Sequence, residues 1–250
     1  MSRICLIGDS HLAALKLGWN SLAADFPGAE LAFFAAPGKA MASLEIGDGA
    51  LVAGNAALAG SLKMTSGGQT RIAGDYDAYV VNGLELGIGF ALEICRKYRA
   101  ENHAADWRTP ISDDCFAHAV MGAARDCLAG QTIAKVRAVT AAPILFCPAP
   151  MADAKNQKIR QSLSAAGEAA DVVALFARGC ELLAGAAGGR YLPQPGETLE
   201  DDGIGTRASY SSSPARFHAE LAKRNDNSHM NTDYGIAVLR QIMPAVAAIA

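Results

Sequence analysis

Three residues near the two ends of this chain have the types that acyl chemistry needs. Ser10 closes the first apolar run in Gly8-Asp9-Ser10, and Asp226 and His229 stand in Asp226-Asn227-Ser228-His229, ahead of the last helical pattern. A serine hydroxyl is a weak nucleophile at neutral pH until an imidazole can accept its proton. The imidazole in turn needs a partner that fixes its tautomer. The spacing of Asp226 and His229 lets the carboxylate reach an imidazole Nδ1–H within one turn, leaving Nε2 for a hydroxyl. Each segment also has a plainer reading. A serine just before an apolar-periodic helix is an ordinary N-cap, and residues 225–232 form a polar run with Thr232 or Asp233 available as the next cap.

These groups are useful together only if the fold carries both segments to one place. Residues 3–7 form an unbroken apolar run that suits a strand buried on both faces. Leu12, Leu15, Trp19, Leu22 and Phe26 then recur at helical spacing, and Pro27-Gly28 stops that helix. Further strands are expected over 30–36, 77–82, 143–147 and, briefly, 190–192. Helices are expected over 87–99, 117–138 and 163–185 and from about 234, with Pro244 kinking the last or opening its final turn. Strands alternating with helices predict an α/β fold: a single domain over 1–250, with a central parallel sheet of about five strands between two helical layers. In such a sheet, ligands bind outside the carboxyl ends of the strands near the switch point, which strand one flanks. Ser10 would then stand at that crevice, with a helix N-terminus beneath it.

Two stretches break the alternation. Residues 44–73, rich in Gly, Ala, Ser and Thr, show period-2 character near Leu51-Val52 and Leu62-Lys63-Met64 and are expected to form a β-hairpin insertion. Residues 193–216 form a long irregular loop, either a substrate-binding wall or a surface wrap. Arg207 and Tyr210 within it are candidate substrate contacts by location.

Composition narrows the function classes. A net charge of −3 leaves no basic footprint for nucleic acid or anionic lipid. No run of 18 apolar residues calls for a membrane span. The six cysteines are scattered without a CxxC, as expected of reduced, mostly buried thiols in a cytoplasmic protein. His103, His118 and His218 belong to no cluster of metal-ligand type, so no metal and no cofactor are expected. The glycines at 83, 87 and 89 follow a strand but match neither dinucleotide nor nucleotide-phosphate motifs.

The block Ile4-Cys-Leu-Ile-Gly-Asp-Ser-His11 resembles the first block of the SGNH (GDSL-type) hydrolases, and Asp226-x-x-His229 resembles their last. No Gly-x-Ser-x-Gly surrounds Ser10, which separates the chain from the α/β-hydrolase elbow. The resemblance covers both ends well and the centre loosely. It implies a flavodoxin-like three-layer sandwich, with Ser10 as nucleophile and His229 as base, oriented by Asp226. It also implies an oxyanion hole from the backbone N–H groups of Ser10 and Gly38. Ser10 followed by His11 is similar to SGNH domains associated with O-acylation of polysaccharides.

The third block departs from the family. Where the family has Gly-x-Asn-Asp, this chain has Gly83-Leu84-Glu85-Leu86, and an ionised Glu85 cannot donate to an oxyanion. One lost oxyanion donor costs roughly 10²–10³ in rate. Asn82 is the nearest replacement donor, or else simply ends its strand. Glu85 becomes a candidate contact for a substrate hydroxyl or amine. The expected activity is hydrolysis of an ester, with a small acyl group on a carbohydrate or similar alcohol. Acyl transfer to a sugar hydroxyl with the same residues, and a non-catalytic binding module, are the alternatives. The oligomeric state is left open.

Overall fold

The computed structural model describes residues 1–103, 106–153, 168–217 and 229–249. In chain order the first elements are β1 (Ser2–Gly8), α1 (Leu12–Leu22) and β2 (Ala29–Ala35). An excursion follows, made of β3 (Leu44–Gly47), β4 (Ala50–Ala53), α2 (Ala56–Ser66) and β5 (Arg71–Ala73). Next come β6 (Ala78–Asn82), α3 (Gly89–Cys95), β7 (Tyr98–Ala100), β8 (Thr109–Ile111), α4 (Asp113–Asp126), α5 (Leu128–Val139) and β9 (Ile144–Cys147). The series closes with α6 (Glu168–Ala186), β10 (Arg190–Tyr191), a single helical turn at Ala208–Ser211, and α7 (Thr232–Ala247).

Five strands pair in parallel in the order β2-β1-β6-β9-β10. Counted within this sheet the order is 2-1-3-4-5, the doubly wound arrangement whose switch point lies between its first and third strands. The register sets Gly8 beside both Ala35 and Asn82, and Asn82 beside Cys147. Four strands therefore end level, and the loops leaving them share one rim.

The period-2 pleat sorts β1 between the two faces. Cys5 and Ile7 enter the core with Phe34, Tyr79, Phe116 and Phe176, while Ile4 and Leu6 enter the one shared with Leu12, Leu15, Leu239 and Ile242. Helices α1 and α7 cover the second face. They meet backbone to backbone at two glycines: a Cβ on Gly18 would lie 2.8 Å from the Gly235 carbonyl carbon, and one on Gly235 would lie 1.9 Å from the Ala14 carbonyl oxygen. Any side chain at Gly235 would push the two helices apart. Pro244 stands where α7 enters its last turn, its carbonyl accepting from the Ala248 N–H at 3.0 Å.

The excursion corrects the expected hairpin. The hairpin is confined to β3 and β4, and β5 adds a third antiparallel strand. Between β4 and β5, residues 56–66 are helical. The Asn55 side chain caps α2 by accepting from the Leu58 N–H at 2.9 Å, and Gly67 closes it at φ 79°. The single helix expected over 117–138 is two, divided at Cys127, whose ψ of 172° ends α4 and opens α5. The helix expected over 87–99 ends at Cys95, and Tyr98–Ala100 pairs instead with Thr109–Ile111 as β7–β8, which has no forerunner in the sequence pattern. Of the helix expected over 163–185, residues 163–167 lie outside the described residues. No described helix is long and apolar enough to cross a membrane.

Candidate active site

Ser10 leaves β1 at the rim, at the switch point. Its Oγ lies 2.7 Å from His229 Nε2, although 219 positions separate the two residues. The α1–α7 contact accounts for this meeting: Ser10 sits two residues before α1, and His229 three residues before α7. Neither plain capping role holds. His11 is the N-cap of α1, without a side-chain hydrogen bond, so the Ser10 hydroxyl is not used as a cap. Asn231, rather than Thr232 or Asp233, caps α7 by accepting from the Tyr234 N–H at 3.1 Å. Asp226 lies outside the described residues.

The loops around Ser10 are fixed by Asp9. One of its carboxylate oxygens accepts from the His11 N–H at 3.0 Å, and the other accepts from the Leu84 N–H at 2.9 Å. Asp9 thus ties the turn after β1 to the turn after β6. A Cβ on Gly83 would sit 2.9 Å from the Asp9 carboxylate, and Gly83 has φ 71°, so a side chain there would be strained and would press on that carboxylate. Leu84 and Glu85 follow at φ 52° and 68°. Two consecutive non-glycine residues in the left-handed region store strain of order 1–3 kcal/mol each. That strain is held by the Asp9 bond, by the buried Leu84 and Leu86 side chains, and by the Ala129 N–H donating to Leu84 O at 2.9 Å.

Glu85 does not face the site as an isolated charge. Its carboxylate pairs with Lys39 Nζ at 2.7 Å, joining the loops after β2 and β6. An exposed pair of this kind adds little stability, but it compensates the Glu85 charge. Lys39 is adjacent to Gly38, which has φ 55° and open space where a side chain would go. Neither Ser10 nor Gly38 donates its backbone N–H to another described residue. Asn82 is otherwise occupied as a strand end. Its side chain is buried and its Oδ1 has no partner among the described residues; it lines a small gap with Cys147 and Pro193, and the cavity beside Ser10 lies elsewhere.

That cavity has a volume of about 250 Å³. Ser10 and His229 open onto it, and most of its remaining wall is apolar, with Ala35, Ala36, Pro37, Met64, Ala215 and Phe217 contributing. Arg207 and Tyr210 are not among its lining residues. Arg207 turns back onto its own loop, donating to Leu199 O and pairing with Asp201 at 3.1 Å. Tyr210 packs partly buried against the core under α7. The long loop reaches the cavity instead through Ala215, Arg216 and Phe217. The sequence pattern marks Met64 only as part of a short alternation and Phe217 not at all, because lone apolar residues in weakly patterned segments carry little periodic signal.

His11 lies beside His229. Its ring centroid lies 5.1 Å from that of His229, with the planes tilted by 31°. The residue is partly exposed, yet its Nδ1 is buried without a hydrogen-bond partner among the described residues. Burial holds this imidazole below its ordinary value of 6.5, the Asp9 carboxylate opposes that, and His229 adds to the lowering. The folded state therefore binds fewer protons here than the unfolded chain. This group's contribution to stability is full above the ordinary value and is lost as pH falls through the lowered one. In His11→Phe, the fall of melting temperature between about pH 7 and pH 5 is expected to be shallower than in the parent protein. An unchanged slope would show that His11 does not titrate on folding.

Thiols do not compete for the nucleophile's role at the rim. Burial pushes the Cys147 thiol up to about 12 and the Cys95 thiol up to about 11. Among the described residues no group of three or more His, Cys, Asp or Glu side chains is placed to hold a metal ion.

No family model and no curated protein matches the chain. Solved structures do. An extracellular lipase from Streptomyces rimosus is 10% identical with a TM-score of 0.49, covering all of both chains. A carbohydrate acetylesterase family member from Sinorhizobium meliloti is 14% identical with a TM-score of 0.45, covering 100% of this chain and 99% of the other. Phospholipase A1 from Streptomyces albidoflavus is 13% identical with a TM-score of 0.47, at the same coverage.

Proposed function

We propose that this chain is a serine-dependent esterase of the SGNH type. The observation that carries the proposal is the 2.7 Å approach of Ser10 Oγ to His229 Nε2 at the carboxyl rim of the sheet, opening onto a cavity. That distance lies within hydrogen-bond reach, as a nucleophile and its base require. The resemblance of Ile4 to His11 and of Asp226-x-x-His229 to the family's first and last blocks agrees with it.

In this reading Ser10 Oγ attacks the acyl carbon as its proton passes to His229 Nε2, and Asp226 holds the imidazole in the required tautomer. The negative charge on the former carbonyl oxygen is met by the backbone N–H groups of Ser10 and Gly38. The intermediate collapses, the ester bond breaks, and the alcohol departs with the proton from His229. Water then attacks the acyl-enzyme, giving its proton to His229. Release of the acid returns that proton to Ser10. On the likeness of Ser10-His11 to SGNH domains associated with O-acylation of polysaccharides, the alcohol half is read as a carbohydrate or similar alcohol.

The pairing of Glu85 with Lys39 removes one objection to the esterase reading, an isolated negative charge on the loop after β6, and leaves the non-catalytic module to be decided by experiment. The test is covalent labelling by a fluorophosphonate, which reacts only with an activated serine. One label per chain is expected, mapped to Ser10 by peptide mass and absent from His229→Ala. A well-folded protein that takes no label would remove the hydrolase reading.

A further inference from the structure

The cavity beside Ser10 is too large and too apolar for a small acyl group alone. At about 250 Å³ it exceeds what an acetyl group fills, and most of its wall is alanine, proline, methionine and phenylalanine. An engineered apolar cavity of roughly 150 Å³ accommodates the six carbons of benzene. By that scale this one has room for about eight to ten carbons. Met64, on α2, leaves 41% of its surface exposed although it borders this space, so the wall keeps apolar area in contact with solvent.

The wall is also built to keep its shape. Thr65 Oγ1 accepts from the Ala35 N–H at 3.0 Å and donates to Ser61 O at 3.0 Å, fastening the end of α2 to the end of β2. Lys16 Nζ donates to Thr65 O at 2.5 Å and lies 5.9 Å from the centre of the Phe217 ring, so α1 braces both sides. Burial lowers the pKa of Lys16, as expected for an ammonium drawn inward to serve as a brace. The two walls come from the excursion after β2 and from the end of the long loop, the segments least determined by the sheet itself.

Resting on the esterase reading, we infer that this slot receives the acyl half of the substrate and selects a straight aliphatic chain of about six to ten carbons. Met64 and Phe217 set its length. The alcohol half then leaves toward the rim. The small acyl group expected from the sequence gives way to a medium-length one.

Hydrolysis of p-nitrophenyl esters from acetate to palmitate tests this. Each methylene moved from water into apolar surroundings is worth about fourfold. Six added methylenes, only partly enclosed, are expected to raise kcat/KM from acetate to octanoate by at least about 100-fold. Beyond about ten carbons kcat/KM is expected to fall. Met64→Trp, a change at a surface-exposed residue that narrows the slot, is expected to reduce the octanoate-to-acetate ratio at least tenfold. A second measurement is independent of turnover: in Ser10→Ala, calorimetry should find octanoate bound at least about 100-fold more tightly than acetate, with the preference lost on adding Met64→Trp. Equal kcat/KM for all chain lengths in a protein whose Ser10 labels overturns the slot and leaves the esterase standing. Preferential octanoate binding in a protein that neither labels nor turns over esters overturns the esterase and leaves the slot. Equal binding of the two acids overturns the slot whatever the turnover.

Discussion

Ser10→Ala is expected to lower kcat on a p-nitrophenyl ester by about 10⁴–10⁶, with little change in melting temperature. The kinetic loss follows from what the hydroxyl would do: without it no acyl-enzyme forms, and what remains is the turnover that bound water achieves against a prearranged oxyanion site. Stability should change little because Ser10 is only partly buried and its hydroxyl caps no helix. His229→Ala should cost a similar amount. The double variant should be no worse than the weaker single, since nucleophile and base act as a unit and their losses do not add. Steady-state kinetics on the three variants, with thermal unfolding alongside, decides the matter. Retention of more than about 1% of kcat by Ser10→Ala would make the 2.7 Å contact a structural hydrogen bond and nothing more.

The second large effect is expected far from the cavity. Gly235→Ala would put a methyl group 1.9 Å from the Ala14 carbonyl oxygen, a backbone atom that cannot rotate away. Helices α1 and α7 would have to part by more than about 1 Å, and overpacking of this kind costs about 1–3 kcal/mol or more. For a chain of this size that amounts to a fall in melting temperature of roughly 2–6 °C. Activity should fall further than stability does. Ser10 and His229 are carried at the leading ends of these two helices, and a misplacement of about 1 Å can cost about 10²-fold in rate. Gly60→Ala is the control. Gly60 also lies within a helix, but nothing stands within 4 Å of where its Cβ would go, so the substitution should stabilise by about 0.5–1 kcal/mol. Equal behaviour of the two variants in thermal unfolding and in kcat would refute the clamp.

The sheet is legible in the sequence where burial is complete. Unbroken apolar runs such as those at β1 and β6 have no other economical reading, and the parallel arrangement follows from alternation with helices. The excursion misleads because Leu62-Lys63-Met64 alternates over three residues, while Leu58, Leu62 and Thr65 are buried at helical spacing over eight. The longer period is the better guide, and Asn55 and Gly67 stand at its ends as caps. The division at Cys127 has no glycine or proline immediately before it to announce it. It depends instead on Gly130, whose hydrogen leaves room for the Arg125 and Ala124 carbonyls at distances a side chain could not share. Ser10 and His229 stand out in the sequence through the short blocks that hold them, Gly8-Asp9-Ser10 and Asp226-x-x-His229, since each side chain alone is ordinary in such a turn. The slot does not, since Ala35, Met64 and Phe217 are ordinary residues that matter only through convergence. Likewise, Glu85 standing where the resembled block has an asparagine is visible in sequence, but its partnership with Lys39 is not.

The glycine clamp between the first and last described helices makes the reactivity of the rim a reporter of assembly. The hydroxyl and the imidazole belong to segments with no local reason to meet, so they can be adjacent only in molecules where α7 has docked. A partly folded species that keeps its sheet but releases that helix would retain most of its circular dichroism and yet be chemically silent. Reactivity lost at lower denaturant than ellipticity would identify α7 as a separately melting unit, and coincident midpoints would make the whole described structure one cooperative transition.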